Sequence, residues 1–276
     1  MEQGLSKNMN EKIHLIKDVA IKDEQSLLGL IIQNTNPEQT QRHTGFIFIK
    51  NKVPFLAHFG TNQVVFYHEM SSNDNYAMFW LDIEKMPETT VIPLINELEQ
   101  ISKNQPSRHQ NGYFFSANYG IVNLGGGKIS NGNYIPNPDV AGDSLTCAVF
   151  VNCIFEQFDF PILDLATWEV SPEDKEWQEF IVGILEDSGA FNPKFIEAQK
   201  SGIGSVPRIR PEQMVGACCI FDFDLVNYYS ANEAGYTSMN DFEVVIKDQD
   251  QSKDVKVFMV RDGLSWKIHK IAVPMD

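Results

Sequence analysis

The sequence predicts an α+β protein in which an antiparallel sheet packs against an apolar helix carrying a cysteine near its start, with a β-rich region toward the C-terminus. Three observations predict it. Two β-prone runs, Thr44 to Ile49 and Val53 to Phe59, flank a polar turn at Lys50-Asn51-Lys52. A largely apolar segment from Leu145 to Phe158 is long enough for a buried helix. Two further β-prone runs flank Asp262-Gly263, a strong hairpin signal. With 276 residues, of which 43% are hydrophobic, the chain can bury a large core in one or two domains.

In chain order, Asp23 to Gln33 predicts an amphipathic helix, because Leu27, Leu28, Leu30, Ile31 and Ile32 follow acidic residues and precede Asn34, Asn36 and Pro37. The hairpin comes next, a third strand at Gln63 to Tyr67 extends it, and Tyr76 to Ile83 predicts another strand. Thr90 to Ile101 has helical apolar spacing, with Pro93 near its start. Asn104 to Gly142 is rich in glycine and proline and predicts loops that cover something. Asp143 or Ser144 offers an N-cap to the apolar helix, with Cys147 in the first turn. Ser171-Pro172-Glu173-Asp174 combines a cap residue, a proline and early acids, and predicts a helix running to Leu185. A polar, partly helical connection from Asp187 to Gly204 follows. Val215 to Phe223, Phe242 to Ile246, Val255 to Val260 and Trp266 to Val273 predict an antiparallel C-terminal sheet. The expected division is a core over 1–200 and a β-rich extension or small second domain over 201–276.

The net charge of −15, from 37 acidic and 22 basic side chains, argues against a nucleic-acid partner and against adhesion to anionic membranes, both of which need clustered Lys and Arg. No apolar run approaches the roughly 20 residues of a membrane-spanning helix, and Met1 to Ala20 lacks the apolar core of a secretory signal. Cys147, Cys153, Cys218 and Cys219 show no disulfide framework, which fits free thiols in the cytoplasm. Without a CxxC pair or clustered histidines no metal is expected, and no cofactor motif is present: Gly125-Gly126-Gly127 leads to Lys128-Ile129, not to the Lys-Ser or Lys-Thr of a phosphate loop.

The residues that can carry chemistry are His43, His58 and Cys147. His43 opens one strand and His58 follows 15 residues later on its partner, so a hairpin brings both imidazoles to one face. Cys147 lies where a helix N-terminus presents unpaired amides and a positive dipole, which favour a thiolate. A thiolate, an imidazole to move its proton and a polar group to orient the imidazole make a nucleophilic triad. The plain alternative for Cys147 is an inert, packed thiol. His68 is a second candidate orienter, or a surface histidine beside Glu69, and Tyr119 is a candidate oxyanion donor, or core. Arg208 and Arg210 read either as a clamp for a carboxylate or, more plainly, as surface charges. Asp222 and Asp224 alternate with Phe221 and Phe223 as on the solvent face of a strand. Cys218 and Cys219 are expected on opposite faces of that strand.

His43-Thr-Gly-Phe-Ile-Phe-Ile, a turn, and Phe55-Leu-Ala-His58 resemble the His-x-Gly-Ile strand and following histidine of the NlpC-type papain-like amidases and peptidases. Ordinary members carry the cysteine before this strand, whereas here Thr146-Cys147-Ala148-Val149-Phe150-Val151 follows it, which resembles the circularly permuted branch that includes lecithin:retinol acyltransferase. The resemblance covers Arg42 to Phe158. It implies a permuted papain-like core and a thiol hydrolase or acyltransferase, with Cys147 as nucleophile, His43 as base and His58 as orienter, acting on a peptide, amide or acyl-ester substrate. The rival expectation is a non-catalytic acidic binding protein that keeps the fold and meets a protein partner.

Overall fold

The computed structural model describes residues 28–34, 42–51, 53–60, 65–69, 77–80, 86–104, 117–124, 126–236, 255–262 and 265–272. Strands β1 (Leu28–Asn34), β2 (Arg42–Lys50), β3 (Val53–Phe59), β4 (Val65–Glu69), β5 (Ala77–Trp80), β8 (Val255–Asp262) and β9 (Ser265–Ala272) form one sheet in the order β4-β3-β2-β1-β5-β8-β9. All neighbours in it are antiparallel except β5 and β8, which run parallel through Phe79 and Met259. A small hairpin, β6 (Lys128–Ser130) with β7 (Asn133–Ile135), stands apart. The helices are α1 (Glu88–Asn104), α2 (Cys147–Gln157), α3 (Lys175–Ser188), α4 (Pro193–Gly202) and α5 (Pro211–Ile220), and residues 228–236 are also helical. The architecture is α+β.

The β2–β3 hairpin forms as its sequence predicts: Lys50 pairs with Val53, and Asn51 takes the left-handed conformation (φ 51°) that asparagine tolerates at a tight turn. Phe46 then meets the rings of Phe150 and Phe155 at 6.3 and 5.4 Å, both edge-on, while Phe59 meets Phe150 at 6.1 Å. These contacts seat α2 on the sheet. Every residue from Cys147 to Phe155 is buried, so α2 is a core helix that meets solvent only in its last turn, at Glu156.

Several expectations are corrected. The stretch read as a helix within Asp23–Gln33 is strand β1 where it is described. It lies between β2 and β5, and Leu28, Leu30, Ile31 and Ile32 are all buried, so it lacks the polar alternation that marks a strand. Val215 to Phe223, read as a strand, belongs to α5 up to Ile220. Pro211 begins that helix, and the Arg210 amide donates to the Gln213 side chain at 2.8 Å. Residues 213–219 are all buried, so Cys218 and Cys219 are core thiols of a helix, not opposite faces of a strand. Phe221 to Asp224 is loop, with Phe223 left-handed at φ 67°.

Neither Asp143 nor Ser144 caps α2. The Asp143 carboxylate accepts from the Tyr134 hydroxyl and the Asn137 amide at 2.9 and 2.7 Å, and the Ser144 hydroxyl donates to the Val122 carbonyl at 2.7 Å. Thr146 is the cap, accepting from the Val149 amide at 3.3 Å, which makes Cys147 the first helical residue. The C-terminal hairpin forms with Asp262 opposite Ser265, so its connection is one residue later than the expected Asp262-Gly263 turn. The expected strand Phe242–Ile246 lies outside the described residues.

A Cβ added at Gly45 would fall 2.4 Å from the Cβ of His58 and 2.7 Å from the Ala57 carbonyl, both on the paired strand. Gly45→Ala is therefore expected to destabilise the protein by about 1 to 3 kcal/mol and to displace His58. Urea unfolding of the variant checks it, and a stability equal to wild type would show that the two strands can separate freely.

Candidate active site

β2 and β3 place the two histidines together. His43 shares its strand face with Gly45, and the missing side chain of Gly45 leaves room for His58 to lie against β2. His43 Nε2 and His58 Nδ1 are 2.8 Å apart, with ring centroids at 4.7 Å and planes at 80°. Phe66 of β4 stacks on His58 at 4.9 Å and fixes its plane. Because Nε2 of His43 is engaged, Nδ1 is the nitrogen left to exchange a proton elsewhere. It acts as a base only in the tautomer where Nε2 carries the hydrogen and donates to His58. His68 lies in β4 opposite Leu56, and His58 opposite Phe66. The imidazole that bonds His43 is that of His58.

Cys147 enters from α2. Its sulfur is approached by the backbone amides of Thr44, the residue after His43, and of Ala148 and Cys147 itself, and it lies within electrostatic reach of Arg208. Among the described residues, no hydrogen bond joins the Cys147 sulfur to either imidazole. Burial raises the thiol's pKa, and the Thr44 amide, the Arg208 charge and the helix-start amides oppose that rise without overcoming it. The expectation of a thiolate poised by the helix start is corrected in sign: desolvation outweighs the amides, and the resting sulfur is a thiol. Tyr119 is buried near the same place, 6.0 Å from the Phe59 ring, its phenol raised by burial and by nearby Cys147. Its bridge to Leu145 ties the preceding loop to the approach of α2.

Arg208 was not legible as part of this site. Its side chain is only 10% exposed, its Nη1 lies 3.2 Å from Asp174 Oδ1, and its Cζ sits 3.5 Å from the Trp177 ring centroid. Arg210 Nε reaches the same Asp174 oxygen at 3.0 Å. The surface-charge reading of this pair is overturned: both arginines converge on one buried internal carboxylate. Beside His43, Arg42 bonds Glu212 of α5 at 2.9 Å. No group of three or more metal-ligating side chains is found among the described residues, and none of the described helices is long and apolar enough to cross a membrane.

His43 carries the clearest pH dependence. Part of the residue reaches solvent, yet crowding around its ring removes hydration from the imidazolium and lowers its pKa from 6.5 to about 4. Between those values the unfolded chain binds more protons than the folded one. The neutral ring's contribution is thus complete above pH 6.5 and lost as pH falls toward 4, a difference of at most about 3 kcal/mol. His43→Gln is expected to flatten the fall in unfolding free energy across this window, measured by urea titration. A slope unchanged by the substitution would place the ring in water.

The chain matches no protein-family model, no curated protein and no solved structure.

Proposed function

We propose that the protein is a cysteine hydrolase or acyltransferase with a permuted papain-like core, acting on amide or acyl-ester carbonyls. The observation that carries this reading is the 2.8 Å bond between His43 and His58, on the strand whose next amide, that of Thr44, meets the Cys147 sulfur. An imidazole oriented by a second group, on a strand whose next backbone amide meets a sulfur at a helix start, supplies the groups that nucleophilic acyl transfer needs.

Because burial disfavours the thiolate, the reaction begins from a thiol and a neutral imidazole. As the sulfur attacks the carbonyl carbon, its proton passes to Nδ1 of His43, and the imidazolium so formed donates through Nε2–H to His58. The Cys147 amide at the first helical position supports the oxyanion, with Tyr119 as a second donor. The carbonyl re-forms, the carbon–nitrogen or carbon–oxygen bond of the leaving group breaks, and His43 returns the proton to that group. Water, deprotonated by His43, then attacks the thioester, releases the acid and restores the thiol. An alcohol or amine in place of water gives acyl transfer. Attack requires the sulfur and Nδ1 to come into direct contact. No step uses a metal or cofactor.

The second reading, an acidic binding protein without turnover, is favoured by one observation: a thiol buried to 5% exposure and unbonded to the imidazoles. Its partner would be a protein.

p-Nitrophenyl acetate separates the two. Nitrophenolate is expected to appear with acetylation of Cys147, located by mass spectrometry because Cys153, Cys218 and Cys219 are also free. Cys147→Ala removes the release and keeps the fold, since only a small cavity results. His43→Ala slows acylation by roughly 10² to 10⁴. His58→Ala slows it by less, and His58→Asn, whose carbonyl accepts the same N–H, recovers part of the loss. Release that persists in Cys147→Ala, or acetyl found only on other residues, hands the protein to the second reading.

A further inference from the structure

Beside the site lies a cleft of about 620 Å³ walled by Arg42, Asp174, Trp177, Arg208, Arg210 and Glu212, with Glu173 and Glu176 exposed among its lining residues. Arg42 precedes His43 in β2, so the two side chains leave opposite faces of the strand, and it is Arg208, the charge within reach of the Cys147 sulfur, that connects the cleft to the proposed nucleophile. Its buried wall is rich in donors. Three guanidiniums, each at most 20% exposed, face two largely buried carboxylates, Asp174 and Glu212, and Arg210 also bonds the exposed Glu173 at 3.2 Å. Arg208 and Arg210 both bond the same Asp174 oxygen, Arg208 through Nη1 alone. Arg42 Nε and the Trp177 indole nitrogen are buried and find no acceptor among the described residues. A guanidinium stacked on an indole and given one hydrogen bond keeps the rest of its donor fork available to another acceptor.

We propose that Arg208 anchors a carboxylate of the substrate, so that the acyl group delivered to Cys147 belongs to a carboxylate-bearing molecule lodged in this cleft. The inference rests on the hydrolase reading above and names its substrate class. The carboxylate takes the free N–H groups of Arg208 over the Trp177 face, with Arg42 and Arg210 supplying field. The exposed acids Glu173 and Glu176 repel a second anionic group, so the remainder of the substrate is neutral or cationic.

Iodoacetate and iodoacetamide test this on the intact chain, because they differ in a carboxylate and share the same alkylating carbon. Ordinary thiols, including those of the urea-unfolded chain, set the reference ratio of the two rates. Cys147 in the folded protein is expected to shift that ratio toward iodoacetate by about tenfold or more, the factor one charge-assisted hydrogen bond supplies. The reaction should saturate and be blocked by succinate. Arg208→Gln is expected to return the ratio to the reference, and Arg208→Lys, which keeps the charge but loses the fork, to recover only part of the preference. Equal slowing of both reagents in Arg208→Gln would make the arginine a general electrostatic support and overturn the anchor. So would a reference ratio in wild type, a result that needs no folded variant. Succinate binding is read separately by tryptophan fluorescence, with Trp177→Phe as control. Cys147 inert to both reagents while succinate still binds through Trp177 would sink the hydrolase reading and leave the carboxylate site. Absence of both the preference and the binding would sink the site itself.

Discussion

The packing of Phe46 against Phe150 and Phe155 holds the helix that carries Cys147 to the strand that carries His43. Two elements more than 90 residues apart in sequence are joined there by edge-on aromatic contacts, with Phe59 adding a third ring from the neighbouring strand. Everything proposed for the site inherits its position from this contact. If α2 slid by one residue, the Thr44 amide would face the Thr146 or Ala148 level of the helix instead of the sulfur. The burial of α2 from Cys147 to Phe155 works in the same direction, because a helix buried over most of its length has few alternative seats in a close-packed interior.

The histidine pair depends on backbone economy of another kind. Gly45 supplies no side chain where His58 needs space, and Phe66 closes the far side of that ring. Between these walls His58 has little rotational freedom, which suits a residue whose task is to hold another ring. Burial acts on both proposed reacting groups: it withholds water from the imidazolium of His43 and from the thiolate of Cys147, so His43 resists protonation and Cys147 resists ionisation.

The hairpin, the buried helix and the histidine pair were legible because each has a local signature: β-prone runs around a polar turn, a long apolar run, and two histidines 15 residues apart on partner strands. The two misread elements share one cause. β1 and α5 are buried on all sides, and a run apolar on every face carries no period to separate helix from strand. The α2 cap was misplaced because Asp143 and Ser144, both good cap residues, spend their side chains on Tyr134, Asn137 and Val122. The pairing of Arg208 and Arg210 with Asp174 was not legible for a related reason. Asp174 stands where a helix start favours an acid, yet its carboxylate serves arginines 34 and 36 residues away, a partnership that only the folded chain defines.

The parallel pairing of β5 with β8 unites, at Phe79 and Met259, segments from opposite ends of the described chain. On a ribosome the strands from β1 to β5 emerge long before β8, so β5 waits as an open edge with unpaired amides and carbonyls while the helical region is made. The order of synthesis thus opposes the order of pairing. A nascent chain of this protein passes through an interval in which β5 can recruit a foreign strand, and the arrival of β8 and β9 covers β5 and moves the sheet's edge to β9.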